Sequence, residues 1–525
     1  MGFAKVHSGQ TLFLAGQIID IEIDLAKGLH AFSIVGLPDK AVAESKDRIS
    51  AAIKNSGFKS PKYKNQKVVI SLAPADVRKE GPAFDLAMAI GYLLAADEIR
   101  FDPAQKLFLG ELSLDGALRP ITGVLAIVAE AERRGFTDIF VPAENAAEAA
   151  LISGVHIFPA HSLSDVVAHV HERRGESAIK SKKLSTHIHQ EKTDTQKMRS
   201  LEMHGHNDNV SLDDIHGQHG AKRALEIAAA GGHNILLSGP PGTGKTMLAK
   251  TLRGLLPPLT HEEILEVTAI HSAAGVLTHA SHNGVVRERP FRAPHHTSSV
   301  GAVLGGGNVP RPGDMTLAHR GILFLDELPE FDRMVIEALR QPLEDREVRI
   351  ARGKSRVVFP AHFTLIAAMN PCPCGWYGSG KKECICTTKD HARYARKISG
   401  PILDRIDIRT SVGDINFEKI SRHNGAARTD HHAVQKRILA ARAIQHNRNG
   451  HINSAIAGTN ISRCAPISPE AQQTLTTAAI QFTLSMRAYH RVWRVARTIA
   501  DLACKEYIEK EHVLEALQFR VQEKT

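Results

Sequence analysis

The chain has 525 residues, 43% of them apolar and 23% charged, so it can fill about three ordinary globular domains and is neither disordered nor fibrous in composition. The formal charge of +10 and the isoelectric point near 9.2 suit a polyanionic partner, and equally plain solubility. No uninterrupted apolar run reaches the roughly 18 residues of a membrane span. Met1–Gln10 lack the charged-then-apolar pattern of an export signal, so a cytoplasmic location is expected.

Residues 1–168 read as one mixed α/β domain. The run Lys67–Leu72 has a strand pattern, and the alanine-rich stretch 83–96 has a helical one. Residues 169–210 turn polar and basic, with few apolar positions and no period, and read as a solvated linker or a basic tether. Apolar periodicity returns at Ser211, where Ser211-Leu212-Asp213-Asp214 resembles a helix start. Strand-like runs at Asn234–Leu237, Ile322–Leu325 and Thr364–Ala368 alternate with helical stretches, which predicts a parallel sheet covered on both faces over 211–415. From 416 to 525 the pattern is helical, clearest in Val434–Ile444 and Val492–Leu502.

The first of those strand runs leads into Gly239-Pro240-Pro241-Gly242-Thr243-Gly244-Lys245-Thr246, and then into a helical stretch from Met247. Strand, glycine-rich loop and helix form the context of a phosphate-binding loop. Glycines let backbone N–H groups face phosphate oxygens, and the helix N-terminus adds partial positive charge. Lys245 is expected beside the β- and γ-phosphates of ATP, and Thr246 on Mg²⁺. The second run ends in Asp326-Glu327, carboxylates suited to hold Mg²⁺ and to polarise the attacking water. The third ends at Asn370, placed to hydrogen-bond that water, although Asn before Pro is also a common turn.

Two further segments carry chemistry. Cys372-Pro373-Cys374 and Cys384-Ile385-Cys386 place four of the six cysteines within 15 residues, a set that suits tetrahedral Zn²⁺ or, failing that, four reduced thiols in a loop. Alternation on both sides of Arg352-Gly353-Lys354 predicts a β-hairpin over 347–358 with a cationic tip. Arg352 and Lys354 there could meet DNA phosphates without reading sequence, or merely solubilise the hairpin.

Longer strings make the chain resemble the magnesium-chelatase-like AAA+ family. They are Ser33–Asp39, Leu72–Asp76, Ala221–Ile227, Phe291-Arg292-Ala293-Pro294-His295-His296 and Arg487-Ala488-Tyr489-His490-Arg491. The resemblance spans nearly the whole chain and implies a ring, usually a hexamer, with nucleotide between neighbours. On that pattern Asn370 matches sensor 1. Arg405, in Gly400–Asp407, matches the arginine finger that reaches the adjacent subunit. Arg487 matches sensor 2, with Arg491 as its rival. A helix-2 insert is implied over roughly 270–317.

The first domain resembles the Lon-protease fold of the ribosomal S5 domain 2-like type, through Lys79–Ala83 and Gly110–Gly116. The nucleophile position of that pattern falls on Ala83 and the lysine position on Leu125, so no protease activity is expected. The whole is an α/β multidomain chain: Lon-protease-like domain, linker, AAA+ P-loop core and helical lid. The implied activity is an ATP-driven motor on DNA, promoting branch migration in recombination during natural transformation. A metal-chelatase motor subunit and a protein-remodelling motor are the alternatives. No Asp-x-Ser-x-Ser string is present for the former, and the hairpin tip lacks the aromatic residues expected of the latter.

Overall fold

A computed structural model describes residues 2–63, 65–171, 210–277, 284–307, 309–352, 355–380, 382–413 and 430–520. Most of the expected linker and the hairpin residues Gly353 and Lys354 therefore lie outside the described residues, as does the start of the expected lid. The chain divides into two compact units, 1–203 with 260–287, and 204–259 with 288–525.

In the first unit, seven strands form one mixed sheet: β1 (Gly2–Leu12), β2 (Ala15–Lys27), β3 (Ala31–Val35), β4 (Gln66–Ala73), β5 (Lys106–Phe108), β8 (Asp138–Pro142) and β9 (His156–Ala160), in the order β3-β4-β2-β1-β5-β8-β9. A short pair, β6 (Glu111–Leu112) and β7 (Leu118–Arg119), stands apart. β1 and β2 pair antiparallel along their full facing lengths, from Gly2 opposite Leu25 to Leu12 opposite Ala15. Alternate residues Ile19, Ile21 and Ile23 of β2 are buried and pack with the helix Asp85–Ala95, whose residues are nearly all buried. Burying a side chain of that size contributes about 1.5–3 kcal/mol, so this face anchors the unit.

The segment 260–287, expected inside the ATPase core, belongs to this first unit. Its helix His261–Ala273 starts with a capping box on Thr260 and Glu263, and lies against the helix Val124–Arg133. The backbone N–H of Gly123 donates to the Ser272 hydroxyl at 2.9 Å.

The second unit holds a five-stranded, wholly parallel sheet of β10 (Ile235–Ser238), β11 (Phe291–Arg292), β14 (Ile322–Leu325), β17 (Thr364–Met369) and β18 (Ile408–Ser411), in the order β11-β14-β17-β10-β18. Every residue of β14 is buried, as four apolar residues in a sheet covered on both faces should be. Two antiparallel pairs project from this frame. β12 (Gly305–Gly306) pairs with β13 (Arg311–Pro312), and β15 (Glu347–Arg352) with β16 (Ser355–Pro360). The second pair is the expected hairpin, in register from Glu347–Pro360 to Arg352–Ser355. Val348, Val357 and Phe359 are buried while Arg349 and Arg356 are exposed.

Ser211 caps a 3₁₀ turn, Leu212–Asp214, rather than the helix its sequence predicts; the helix proper is His219–Gly231. Beyond residue 430 the described residues are helical, with His431–Asn449, Pro469–Gln481, Met486–Leu502 and Lys510–Gln518 as the main helices. Among the described residues no helix is long and apolar enough to cross a membrane.

Candidate nucleotide site

The strands β10, β14 and β17 run parallel, so their C-terminal ends share one edge, where ligands of open α/β sheets bind. Ser238 at the end of β10 is in register with Met369 of β17, and Leu325 of β14 with Ala367. That register brings the loop 239–244, the pair Asp326-Glu327 and Asn370 to one place.

The loop depends on its glycines. A Cβ on Gly239 would sit 2.2 Å from the Val412 carbonyl oxygen, so only glycine fits beside β18. Gly242 and Gly244 adopt φ of +77° and +87°, which glycine alone holds without strain, and the space beside each is open. The buried Thr243 hydroxyl donates to Pro240 O at 2.9 Å and closes the turn. Pro240 is buried, while Pro241 and Met247, which flank the loop and the first turn of the helix Lys245–Leu255, are exposed.

Lys245 Nζ donates to Gly239 O at 2.6 Å, Pro240 O at 2.8 Å and Asn370 Oδ1 at 3.1 Å. Burial lowers its pKa, with the carboxylates of Asp326 and Glu327 opposing that shift. The Thr246 hydroxyl donates to Asp326 Oδ2 at 3.0 Å, the partnership expected of a hydroxyl and a carboxylate that can serve one hard cation. Open glycine backbone, a lysine and this oxygen pair fit ATP with Mg²⁺.

Glu327 has φ of +52°, a strained conformation for a residue other than glycine. Its Oε2 lies 3.4 Å from Nδ1 of His296, which stands beyond the end of β11. The His295 and His296 rings are 4.1 Å apart.

Arg405 and Arg487 stand apart from this group. Arg405 is buried, its Nη2 is 2.9 Å from Glu344, and its Nη1 donates to Pro401 O at 2.9 Å. Arg487 is exposed, and its Nη2 lies 3.5 Å from the other oxygen of the same Glu344. Its rival Arg491 is turned inward, bonded to Arg405 O at 2.9 Å and to Asp407. Burial raises the Asp407 carboxyl, but Arg491 and His233 outweigh it and hold the group well below the usual carboxylate range. Arg491 thus braces β18, leaving Arg487 as the accessible arginine of the two.

The sulfurs of Cys372, Cys374, Cys384 and Cys386 lie within 4.8 Å of one another, and form a donor set able to hold a metal. The backbone N–H of Trp376 lowers the Cys374 thiol to about 6, whereas desolvation pushes Cys386 up to about 12. Cys464 is buried and Cys504 exposed, both away from the cluster. Arg352 is the last residue of β15, next to the hairpin tip.

Three descriptions match this chain: magnesium chelatase, subunit ChlI, over residues 211–420; subunit ChlI of Mg-chelatase over 21–145; and the ChlI C-terminal region over 428–520. YifB of Salmonella typhimurium is 39% identical over 99% of this chain and 97% of its own. Competence protein ComM of Haemophilus influenzae is 39% identical over 99% and 98%. YifB of Escherichia coli is 38% identical over 99% and 97%. The chain belongs to the magnesium-chelatase-like ComM/YifB family. The strings Phe291–His296 and Arg487–Arg491 lie inside the matched ranges 211–420 and 428–520. The contacts of His296 with Glu327 and of Glu344 with Arg405 and Arg487 are ones that sequence reasoning does not single out. His296 lay inside a recognised string without a role, and Glu344 carries no local signal at all.

Proposed function

We propose that the chain is an ATP-hydrolysing AAA+ motor that works as a homo-hexameric ring on DNA. The observation that carries this reading is the meeting of Lys245, Thr246, Asp326 and Asn370 at one sheet edge. Within the range 211–415 expected for the ATPase core, residues 211–259 and 288–415 are read as that core, and the helices of 430–520 as the lid expected over 416–525. The loop 239–246 and Met247 cradle ATP, and Lys245 neutralises the β- and γ-phosphates. Thr246 and Asp326 would hold Mg²⁺, which would supply charge neutralisation on the phosphates. Glu327 polarises the attacking water and Asn370 orients it. Arg405, buried against Glu344 in the single chain, would leave that pair to reach the neighbouring subunit's nucleotide, and Arg487 would add a second guanidinium against the transferring phosphoryl group.

DNA is the favoured polymer for three reasons: the net charge of +10, the basic residues Arg352 and Lys354 in the hairpin sequence, and full-length similarity to competence protein ComM. Branch migration or helicase activity in recombination during natural transformation is the proposed role, in the cytoplasm. The first unit is read as a Lon-protease-like scaffold. Ala83 and Leu125 stand where a nucleophile and a base would be needed, so it cleaves no peptide. The ChlI matches favour one second reading, the motor subunit of a metal chelatase. Comparing ATP turnover with single-stranded DNA, branched duplex, porphyrin and unfolded protein separates these readings. Stimulation by DNA, lost in an Arg352→Ala, Lys354→Ala double variant, supports the DNA motor; stimulation by porphyrin alone rejects it.

A further inference from the structure

The four cysteine sulfurs are arranged at the spacing of a tetrahedron. Cys372 Sγ is 3.3 Å from Cys374 Sγ and 3.6 Å from Cys384 Sγ, and the latter two are 3.5 Å apart. A zinc–sulfur bond of about 2.3 Å gives a tetrahedral edge of about 3.8 Å. The backbone supports charge on sulfur. Cys374 N–H points to Cys386 Sγ at 3.4 Å, and Tyr377 N–H to Cys372 Sγ at 3.4 Å. His391 Nε2 lies 3.6 Å from Cys384 Sγ, with its ring held edge-on to Tyr377 at 4.5 Å, the outer-shell support typical of metal ligands. An all-sulfur tetrahedral set selects Zn²⁺ over harder cations.

This cluster is built onto the wall of the nucleotide site. Cys372 follows Asn370 by two residues, and Gly375 closes the turn by donating its N–H to Cys372 O at 3.0 Å. Gly375 has φ of +84°, and a Cβ there would lie 2.8 Å from Pro241 Cδ and 3.9 Å from Asn370 Cγ. From the other side, Tyr394 on the helix Thr388–Ala395 hydrogen-bonds to the Asn370 backbone. The segment from Cys372 to Thr387 has no helix or strand of its own among the described residues, so a metal cross-link would offset part of the entropy cost of ordering it.

We propose that Cys372, Cys374, Cys384 and Cys386 bind one Zn²⁺, and that this ion fixes Asn370 and the Pro241 side of the phosphate loop, so that zinc occupancy governs ATP affinity. The coupling rests on the reading of the loop as an ATP site. The zinc site itself does not.

The test uses the full chain, purified without added zinc. Metal content is read by mass spectrometry and affinity with a fluorescent ATP analogue, while a mercurial strips the thiols in steps. One zinc per chain is expected, and ATP affinity should fall by about 5- to 150-fold as zinc leaves. Reduction and zinc re-addition should restore it. Cys386→Ser should lose both zinc and affinity. Gly375→Ala, which strains the turn at φ +84° and sets a Cβ 2.8 Å from Pro241 Cδ, leaves all four thiols in place and should keep its zinc and lose affinity. A chain with no zinc, or with iron in its place, overturns the metal site. Zinc release with unchanged affinity overturns the coupling. A zinc-loaded chain that binds no ATP analogue rejects the ATP reading and the coupling with it, and leaves the zinc site standing on its metal count.

Discussion

Nδ1 of His296 lies 3.4 Å from a carboxylate oxygen of Glu327, the residue proposed to polarise the attacking water. A carboxylate engaged by an imidazole is less available to a water. The contact is partly exposed, so it contributes about 0.5–1 kcal/mol. His296→Ala should therefore raise ATP turnover without DNA by about twofold to fivefold, with ATP affinity unchanged. Steady-state hydrolysis measures this. A fall in turnover would mean that His296 aims Glu327 instead of restraining it.

Glu344 binds Arg405 at 2.9 Å and Arg487 at 3.5 Å, which keeps both arginines in one cluster outside their own subunit's phosphate loop contacts. If Arg405 serves the neighbour, Arg405→Ala and Glu327→Gln rings should each lose hydrolysis, the first by about 10³-fold. Mixing the two variants should recover activity. Interfaces that combine an intact Arg405 on one side with an intact Glu327 on the other are complete. Mixed rings as inactive as the pure variants would place Arg405 in cis or outside catalysis.

The legible parts of this chain were those governed by local rules. Four consecutive apolar residues at Ile322–Leu325 dictate a buried strand, and the glycine spacing around Lys245 dictates the loop. Alternation around Arg352 gave the hairpin for the same reason. What local rules miss depends on distant partners. The segment 260–287 joins the first unit through contacts such as Gly123 to Ser272, residues 149 positions apart. Arg487 and Arg491 sit on one amphipathic helix, and which of them stays accessible depends on the neighbour each meets, which spacing alone does not show. Ser211 has the residue pattern of a helix cap, but Ile215 turns to extended backbone and stops the turn after three residues.

His362 reports on pH. Burial and the neighbouring Arg346 and Arg320 depress its pKa to about 2, and its Nδ1 lies 3.1 Å from Arg320 Nη1. In the unfolded chain the ordinary value is about 6.5. The neutral imidazole thus adds stability that is complete above pH 6.5 and lost as pH falls towards the folded value. In that window the unfolded state holds the extra proton, and each pH unit costs about 1.4 kcal/mol. His362→Gln should flatten the acid side of a stability-versus-pH curve measured by urea unfolding between pH 6.5 and 5. A parallel slope in the variant would show that other histidines carry the dependence.

Asp501 is the hub of the helical region. It is fully buried and accepts from Arg448 at 2.7 and 2.9 Å and from Asn453 at 2.7 Å, with Arg497 at 2.9 Å. Arg497 is itself fully buried, and its other partners are the carbonyls of Lys505 and Glu506. Removing the shared carboxylate leaves two guanidinium groups without their counter-charge, one of them wholly out of water. Breaking such a buried pair costs about 3–5 kcal/mol, more than the pair contributes relative to an apolar replacement of all partners. Asp501→Asn keeps the shape and removes the charge, so it should lower the urea midpoint by an amount in that range. The helix Met486–Leu502 that carries Asp501 and Arg497 also carries Arg487 and Arg491. Loosening its C-terminal half should therefore reduce ATP turnover in the assembled ring while nucleotide affinity, set by the loop around Lys245, changes little. A destabilised variant with full turnover would separate the hub from the arginines at the other end of its helix.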